Sequence, residues 1–184
     1  MNQFNMKFNK TEIDGCYLIT HKTIHDNRGY FSVPFNRDVF NQGIGQEVNF
    51  IQDNMSYSHK NVIRGLHFQI GDYEQAKLVT CTYGQVLDVI VDIRKESHTF
   101  GRVIRIELGQ SLERQIFVPR GCAHGFSVLS DKALFQYKVD NVYNKESERG
   151  IRYDDPVLNI NWCVDIGNAV VSDKDRILPS FLSL

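Results

Sequence analysis

The chain has 184 residues, enough for one domain with a substantial core and hardly enough for two. Apolar residues make up 42% and charged residues 23%, which is ordinary for a soluble globular protein. The 21 basic and 22 acidic side chains leave a formal net charge of −1, so no overall field favours nucleic acid or an anionic membrane. Any anionic ligand must therefore be held by local basic groups.

The first residues and the cysteines indicate a cytoplasmic protein. The opening segment MNQFNMKFNK is polar and lacks the apolar core of a secretion signal. No apolar run approaches the ~20 residues that a membrane helix needs. The four cysteines form no C-x-x-C pair, and a chain of this length needs no disulfide framework, so we expect reduced thiols. We expect a single domain over residues 1–184, working in the cytoplasm without contact to membrane or nucleic acid.

Short strands dominate the pattern along the chain, and helical windows are few. A helix is predicted at residues 36–42, and a second short helix follows Ser172, which can cap it. Alternating or β-branched segments predict strands, with Gly84 in a tight turn between the first two of them. The clearest strands are residues 77–83, 85–93, 102–108, 114–119 and 133–139. Strands at this spacing are typical of a β-sandwich or barrel.

Two acidic residues lie in the most apolar of these strands. Asp88 and Asp92 have the same parity, so both side chains project to one face of the strand. We interpret them as a polar outer face or a strand end rather than as a catalytic carboxylate pair.

The segment QDNMSYSHKNVIRGLHFQ (52–69) is the densest cluster of polar residues. Alternation places His67 and Gln69 on the face that looks into the barrel and Arg64 on the other face, unless Gly65 marks a bulge. A lone histidine is more often a buried group satisfied by its neighbours. Here several basic residues lie in similar contexts, which favours a ligand cavity.

The segment VPRGCAHGFSVLS (118–130) carries the spacing P-x-G-x-x-H, ending at His124 just before a strand. This spacing resembles the second sequence motif of cupins, where the histidine often binds a metal. The first cupin motif normally supplies H-x-H and a glutamate, but here the matching strand offers only His67. Two histidines without a carboxylate are a poor ligand set for Fe, Mn or Zn, so we expect a pocket without metal or other cofactor.

Tyrosines stand out in the segment FQYKVDNVYNKESERG (135–150). A phenol inside a cavity, such as that of Tyr137, can act as a general acid. A tyrosine at a cavity rim, such as Tyr143, can stack on a base. Tyrosines also commonly anchor strand edges, so this cluster alone is weak evidence.

Together these clusters resemble the dTDP-4-dehydrorhamnose 3,5-epimerase family. The matching motifs run in one collinear order from about residue 26 to residue 179, and the RGLHFQ, PxGxAHGF and S-x-K-D strings are specific when they occur together. The motifs include DNRGYF (26–31), FIQDN (50–54), VIRGLHFQ (62–69), AKLV (76–79), VPRGCAHGF (118–126) and SDKD (172–175). The resemblance implies an all-β, cupin-type jelly-roll β-barrel with a few short peripheral helices. It also implies a homodimer in which an N-terminal strand adds to the partner's sheet.

The resemblance also implies a role for each matching residue. His67 would be the catalytic base, Asp175 would orient it, Tyr137 would be the general acid and Tyr143 would stack on the thymine. The positions that contact substrate in the family are Arg28, Gln52, Asp53, Asn54, Arg64, Lys77, His124, Glu148 and Lys174. One departure is plain, because Val33 stands where the family usually has a glutamate.

The implied reaction converts dTDP-4-keto-6-deoxy-D-glucose to dTDP-4-keto-L-rhamnose, a step of L-rhamnose biosynthesis. Carbons 3 and 5 both adjoin the C4 ketone, which makes their hydrogens acidic. A base removes a proton from one face to form an enolate, and an acid returns one on the opposite face.

Three other functions stay open from the sequence. One is an epimerase of the same fold that inverts only C3 or only C5 of another deoxysugar nucleotide, which the Val33 departure allows. Another is a cupin that binds a nucleotide-sugar without catalysis. The third is a metal-dependent cupin oxygenase or isomerase, which metal analysis would distinguish.

Overall fold

The computed structural model describes residues 6–184 and is built mainly of short strands. The strands are β1 (Lys7–Lys10), β2 (Tyr17–Thr20), β3 (Thr23–Asp26), β4 (Gly29–Ser32), β5 (Gln52–His59), β6 (Ile63–Gln69), β7 (Lys77–Tyr83), β8 (Gln85–Asp92), β9 (Val103–Gly109), β10 (Arg114–Val118), β11 (Cys122–Val128), β12 (Lys132–Val139) and β13 (Glu148–Gly150). The α-helices are α1 (Arg37–Ile44) and α2 (Asp173–Arg176), and 3₁₀ turns span Gly71–Tyr73, Ile166–Asn168 and Phe181–Ser183. No helix in this described part of the chain is long and apolar enough to cross a bilayer.

The strands form two large antiparallel sheets and one separate hairpin. The six-stranded sheet has the order β1-β2-β10-β7-β12-β5, and the five-stranded sheet has the order β13-β6-β11-β8-β9. Strands β3 and β4 pair with each other. The four strands predicted between residues 77 and 119 match β7 to β10 to within one residue at each end. Gly84, with φ +75°, joins β7 to β8 as the predicted tight turn.

The main core lies between the two sheets. Val79 and Ile116 from the six-stranded sheet pack in one buried cluster with Ile90 and Phe126 from the five-stranded sheet. Alternate residues of each strand therefore point into a shared interior, because side chains alternate along a strand. Two facing antiparallel sheets with short peripheral helices confirm the predicted cupin-type jelly-roll class.

A second layer covers the outer face of each sheet. Helix α1 packs Phe40 and Ile44 on the six-stranded sheet. The C-terminal segment packs Trp162, Val171 and Phe181 on the five-stranded sheet. Strand β8 is therefore buried on both faces, which explains why its sequence QVLDVIVD is apolar almost throughout.

This double burial corrects the interpretation of the two acidic residues in β8. Asp88 and Asp92 are both fully buried and share the interior face with Ile90, so an outer polar face is wrong. Asp92 does lie at the end of the strand, which was the other alternative of that interpretation. Its carboxylate accepts hydrogen bonds from Arg94, Ser97 and Thr99, so it organises the loop that follows β8.

One buried carboxylate holds the C-terminal layer in place through hydrogen bonds. Asp155 is 1% exposed and accepts hydrogen bonds from the backbone N–H groups of Val157, Leu158 and Phe181. Nearby, Trp162 Nε1 donates to the carbonyl oxygen of Tyr153. These contacts hold the segment that carries α2 against the sheet.

We predict that Asp155→Ala lowers the free energy of unfolding by roughly 2–4 kcal/mol, because three backbone donors lose their carboxylate acceptor. Urea denaturation followed by circular dichroism measures the change. The matched control is Asp154→Ala, which removes a half-exposed ion pair with Arg152 and should cost at most about 1 kcal/mol. Equal losses for the two variants would contradict the proposed fastening.

Candidate active site

A cavity of about 680 Å³ opens between the two sheets. Strands β5, β7 and β12 line it from one sheet, β6, β11 and β13 from the other, and the segment 170–175 closes one side. Most of the predicted site residues line this cavity. They are Asn54, Arg64, His67, Lys77, His124, Tyr137, Tyr143, Glu148, Lys174 and Asp175.

His67 on β6 is held by a carboxylate from the C-terminal segment. Its Nε2 lies 2.7 Å from Oδ1 of Asp175, and Gly65 N donates to the other carboxylate oxygen at 3.2 Å. The hydroxyl of Ser172 caps α2 by accepting from the N–H of Asp175, which fixes the residue that carries the carboxylate. Asp175 therefore reaches His67 from a docked one-turn helix.

The carboxylate of Asp175 is the acceptor in this pair. Burial raises the pKa of Asp175, but the hydrogen bonds from His67 and Gly65 outweigh it and hold that pKa below its ordinary value. An ionised carboxylate can only accept, so Nε2 of neutral His67 carries the hydrogen. The lone pair then resides on Nδ1, which has no hydrogen-bond partner among residues 6–184.

A bulge brings Arg64 and His67 to the same side of β6. Gly65 has φ +116°, and the pairing of β6 with β11 shifts register between His124 and Phe126. A Cβ on Gly65 would lie 2.8 Å from the carbonyl oxygen of His124, so only glycine fits this crossing. Arg64 therefore lines the cavity together with His67. The sequence allowed this orientation if Gly65 formed a bulge that interrupts the alternation of side chains.

Tyr137 approaches the same cavity from the opposite sheet. It lies on β12, between β5 and β7, with Asn54 and Val79 as its register partners. Burial raises the pKa of its phenol above the ordinary value, so the hydroxyl keeps its proton at neutral pH. An imidazole and a protonated phenol thus border one cavity from two facing sheets.

Lys77, the first residue of β7, is a buried cation beside this tyrosine. It is 9% exposed, and its Nζ lies 5.9 Å from the centroid of the Tyr137 ring. No carboxylate in the described chain lies within ion-pair distance of its Nζ. Burial lowers its pKa to about 8, against the opposing charge of Asp88. Its ammonium group is available to a ligand oxygen.

Asp88, which the sequence interpretation did not assign to the site, contacts a residue of the cavity wall. Its Oδ1 lies 2.8 Å from Nε2 of His124, a second imidazole–carboxylate pair inside the barrel. Its Oδ2 is buried and has no hydrogen-bond partner in the part of the chain that the structure describes. The sequence did offer a signal for this position. Asp88 lies in a strand that is apolar on both faces, and such a strand has no outer polar face on which an aspartate could lie.

The mouth of the cavity carries a small charged network. Glu148 accepts hydrogen bonds from Lys174 Nζ at 2.5 Å and from the Tyr143 hydroxyl at 2.8 Å. Burial raises the pKa of Glu148, but these two hydrogen bonds outweigh it and hold the pKa below its ordinary value. The network positions the exposed Tyr143 ring at the rim, where a flat ligand group can stack.

Part of the cavity wall is apolar. The rings of Phe126 and Phe135 stack with centroids 4.0 Å apart, and Val62 and Val170 line the same cavity. The sequence interpretation did not single these residues out, because apolar residues in strands are ordinary core. They provide an uncharged surface for the carbon skeleton of a ligand.

Three predicted binding residues lie outside this cavity. Arg28 is in the tight turn between β3 and β4 and forms an exposed ion pair with Asp26. Gln52 donates to Asn54, and Asp53 accepts from Lys138 Nζ. The structure of one chain therefore does not bring Arg28, Gln52 or Asp53 to the pocket.

Metal-ligand geometry is absent from the described residues. No group of three or more His, Cys, Asp and Glu side chains in residues 6–184 is arranged to hold a metal ion.

A family model described as dTDP-4-dehydrorhamnose 3,5-epimerase matches residues 10–183 of the chain. A protein of Shigella flexneri named dTDP-4-dehydrorhamnose 3,5-epimerase is 49% identical over 166 residues, 90% of this chain and 91% of that protein. A protein of the same name from Escherichia coli K12 is 46% identical, over 92% of this chain and 91% of the relative.

Solved structures agree with these sequence relatives. The crystal structure of dTDP-4-dehydrorhamnose 3,5-epimerase from Elizabethkingia anophelis superposes with a TM-score of 0.93 at 45% identity, covering 97% of each chain. A Legionella pneumophila dTDP-6-deoxy-D-glucose-3,5-epimerase in complex with dTDP-4-keto-L-rhamnose gives 0.92 at 40% identity, covering 97% of this chain and 94% of that one.

The His67–Asp175 hydrogen bond predicts one tautomer of the His67 ring. We expect neutral His67 to carry its hydrogen on Nε2 and its lone pair on Nδ1, because the ionised Asp175 accepts. Long-range ¹H–¹⁵N correlation spectra distinguish the two nitrogens, with the His67 signals assigned by their loss in His67→Gln. Asp175→Ala should remove the preference, whereas an Nδ1–H tautomer in the parent protein would contradict the geometry.

Proposed function

We propose that this chain, which belongs to the dTDP-4-dehydrorhamnose 3,5-epimerase family, inverts carbons 3 and 5 of dTDP-4-keto-6-deoxy-D-glucose to give dTDP-4-keto-L-rhamnose. One observation carries the proposal: His67 and Tyr137 border a single cavity from opposite sheets. The names of the relatives, each a 3,5-epimerase over about nine-tenths of the chain, favour two inversions over one. They likewise favour catalysis over binding alone.

Deprotonation begins at His67. Nδ1 is the basic atom of its ring that is free to accept a proton, because Nε2 donates its hydrogen to Asp175. When Nδ1 removes the proton from carbon 3 or 5, the ring becomes an imidazolium beside an ionised carboxylate. Asp175 stabilises that charge and holds the ring in place, the role that an orienting carboxylate has in other histidine-based sites.

Reprotonation falls to Tyr137 on the other side of the sugar. Inversion requires that the proton return to the face opposite the base, and the two sheets present their side chains to opposite faces of a ring between them. Burial keeps the Tyr137 phenol protonated at neutral pH, so it can donate to the enolate carbon.

Lys77 is placed to stabilise the enolate. Charge develops on the C4 oxygen when either neighbouring carbon loses its proton. A buried ammonium group has no hydration shell to exchange at that moment, so its hydrogen bond to the oxygen strengthens as charge builds up. One such donor is typically worth about 10²–10³ in rate.

The remaining residues of the cavity suit a nucleoside diphosphate. Arg64 and Lys174 provide positive charge for the diphosphate inside a protein that is nearly neutral overall. Tyr143 at the rim can stack on the thymine, with Glu148 fixing its hydroxyl. His124 and Asn54 face the sugar region and can bind its hydroxyl groups.

We further propose that two copies of the chain form a homodimer. The β3–β4 hairpin pairs with neither large sheet in the described chain, and a lone hairpin is at best marginally stable in water. It exposes Tyr30 at 68% and Phe31 at 65%. Strand β5 is an edge strand, whose unpaired backbone groups are a template for another strand. If the hairpin of one copy docked on the β5 edge of the other, it would cover its own exposed aromatic residues and pair the free backbone groups of β5.

The dimer would also account for the binding residues outside the pocket. Strand β5 borders the cavity through Asn54, Met55 and Ser56. A hairpin docked on this edge would carry Arg28 toward the partner's cavity, where it could reach the diphosphate. Gln52 and Asp53, at the start of β5, would lie at the same junction.

We also propose that the protein works in the cytoplasm. Its four cysteines are free, and three of them are buried. Thiols in this state persist in a reducing compartment. Cell fractionation with an antibody against the chain tests the location.

The reaction is tested by incubation with dTDP-4-keto-6-deoxy-D-glucose in D₂O, followed by proton NMR. We expect deuterium at carbons 3 and 5 and the L-rhamno product. His67→Ala should abolish exchange and inversion, a loss of at least about 10²-fold. Tyr137→Phe should still exchange but invert about 10²-fold more slowly, because removing a proton requires only the base.

His98→Ala is the matched control, since His98 is exposed and lies outside the cavity, and it should retain the parent activity. Exchange at only one carbon would assign a single-carbon epimerase. Full inversion by Tyr137→Phe would refute the acid assignment.

The dimer is tested by sedimentation equilibrium. We expect the parent protein to sediment as a dimer and the double variant Tyr30→Asp, Phe31→Asp to dissociate, because two charges would be buried without partners. Leu182→Asp, at an equally exposed apolar residue of the C-terminal turn, should leave the dimer intact. A monomeric parent, or a double variant that stays dimeric, would refute this arrangement.

A further inference from the structure

We propose that Gln69 is a positioning residue: its side-chain amide holds the loop that carries Tyr143 and so fixes the stacking ring at the cavity mouth relative to His67. The inference deepens the proposed function and rests on it, since Tyr143 is the residue proposed to stack on the thymine. Gln69 acts through the ring that it positions and takes no part in the proton transfers.

The amide of Gln69 is fully engaged with backbone groups. Gln69 is 7% exposed and is the last residue of β6. Its Nε2 donates to the carbonyl oxygens of Tyr73 at 2.6 Å and of Val142 at 3.0 Å, and its Oε1 accepts from the N–H of Asn144 at 2.6 Å. Both amide hydrogens and the amide oxygen are therefore used, which fixes the plane of the amide group.

Two of these three contacts lie on either side of Tyr143. The carbonyl group of Val142 directly precedes the tyrosine, and the N–H of Asn144 directly follows it. The third contact joins the same amide to the carbonyl group of Tyr73, in the 3₁₀ turn that follows β6. Gln69 thus bridges two segments of the chain, and a shift of the Tyr143 backbone would break hydrogen bonds on both of its sides.

Burial does not hold the tip of this loop. Val142 is 48% exposed and Tyr143 is 57% exposed, so little apolar surface secures either residue. Asn141 ties the start of the loop to carbonyl groups of the segment 72–74. The tip therefore depends on hydrogen bonds, and Gln69 makes the two that flank the ring.

The hydroxyl end of the ring is held by a residue that pairs with Gln69. Glu148 on β13 is the register partner of Gln69 and accepts from the Tyr143 hydroxyl at 2.8 Å. Two residues further along β13, Gly150 pairs with His67. Gln69 and Glu148 therefore hold the backbone and the hydroxyl of Tyr143 from adjacent positions of one sheet.

The strand that fixes this ring also carries the proposed base. His67 and Gln69 lie two residues apart on β6, about 7 Å along the strand, and both line the cavity. The distance from the base to the Tyr143 ring is therefore set by a hydrogen-bonded strand rather than by a free loop. A ring that is already in place when the nucleotide arrives loses little freedom on binding, which increases the affinity.

The test is Gln69→Met, which keeps the approximate length of the side chain and removes all three hydrogen bonds. Binding of dTDP is measured by isothermal titration calorimetry, which requires no catalysis. A base stacked on an aromatic ring is typically worth about 5- to 150-fold in affinity, and we expect Gln69→Met to lose about 5-fold or more. The KM for dTDP-4-keto-6-deoxy-D-glucose should rise by a similar factor while kcat stays within about 2-fold, the pattern of lost ground-state binding.

A double-mutant cycle with Tyr143→Ala distinguishes positioning of the ring from a general loss of structure. Once the ring is absent, Gln69→Met should weaken dTDP binding by less than about 2-fold, because the two residues act as one unit. Asn41→Ala is the matched control, since the Asn41 amide accepts from the N–H of Val48 in a loop outside the cavity. It should lower stability and leave the dTDP affinity unchanged.

Unchanged dTDP affinity in Gln69→Met would overturn the proposal, and so would an equal loss with and without the Tyr143 ring. A fall in kcat at unchanged affinity would assign Gln69 an action on His67 and would also overturn it. Gln69→Ala is a second variant, for the case that methionine prevents folding, and failure of both to fold would leave Gln69 a purely structural role and overturn the proposal. A parent protein that does not bind dTDP would refute the proposed function itself, whereas the other outcomes leave that function intact.

Discussion

The hydrogen bond between His67 and Asp175 joins parts of the chain 108 residues apart. His67, the proposed base, lies on a strand of the five-stranded sheet, and the Asp175 carboxylate lies on a one-turn helix that cannot form a stable structure alone. That helix is held by the C-terminal layer, through Trp162 and Phe181 on the sheet and through the Asp155 carboxylate. The orientation of the His67 ring is therefore coupled to the packing of the outermost layer, and a loosened C-terminal segment would leave His67 without this hydrogen-bond partner.

The interior of the barrel combines two demands that normally conflict. The Phe126–Phe135 stack and the aliphatic core exclude water, which is what makes a charged donor effective there. The same exclusion penalises each charged group that is present. Lys77 is buried there without an ion-pair partner among the described residues, so its ammonium group stays free to bind a ligand oxygen. A direct ion pair would occupy the donor.

The sequence located the central strands and named most of the polar residues that line the cavity, and three details show its limits. Alternation located β7 to β10, and the RGLHFQ and S-x-K-D motifs named the residues that the structure brings together as His67 and Asp175. The inward direction of Arg64 depends on the positive φ of Gly65, which alternation does not report. The inward direction of Asp88 was missed because a strand covered on both faces has no periodicity that separates inside from outside.

The third limit concerns residues whose contacts are not all made within a single copy of the chain. Arg28 lies on an exposed hairpin, so its role depends on what that hairpin contacts. Val33, which replaces the usual glutamate of the family, directly follows the same hairpin and lies outside the cavity lining. The replacement therefore leaves the His67, Tyr137 and Lys77 geometry untouched. If the hairpin docks on a second copy, the lost carboxylate belongs to that junction, beside Arg28. It would then alter how the nucleotide end is held, while the groups that we propose for the two inversions stay as they are in the chain's own barrel.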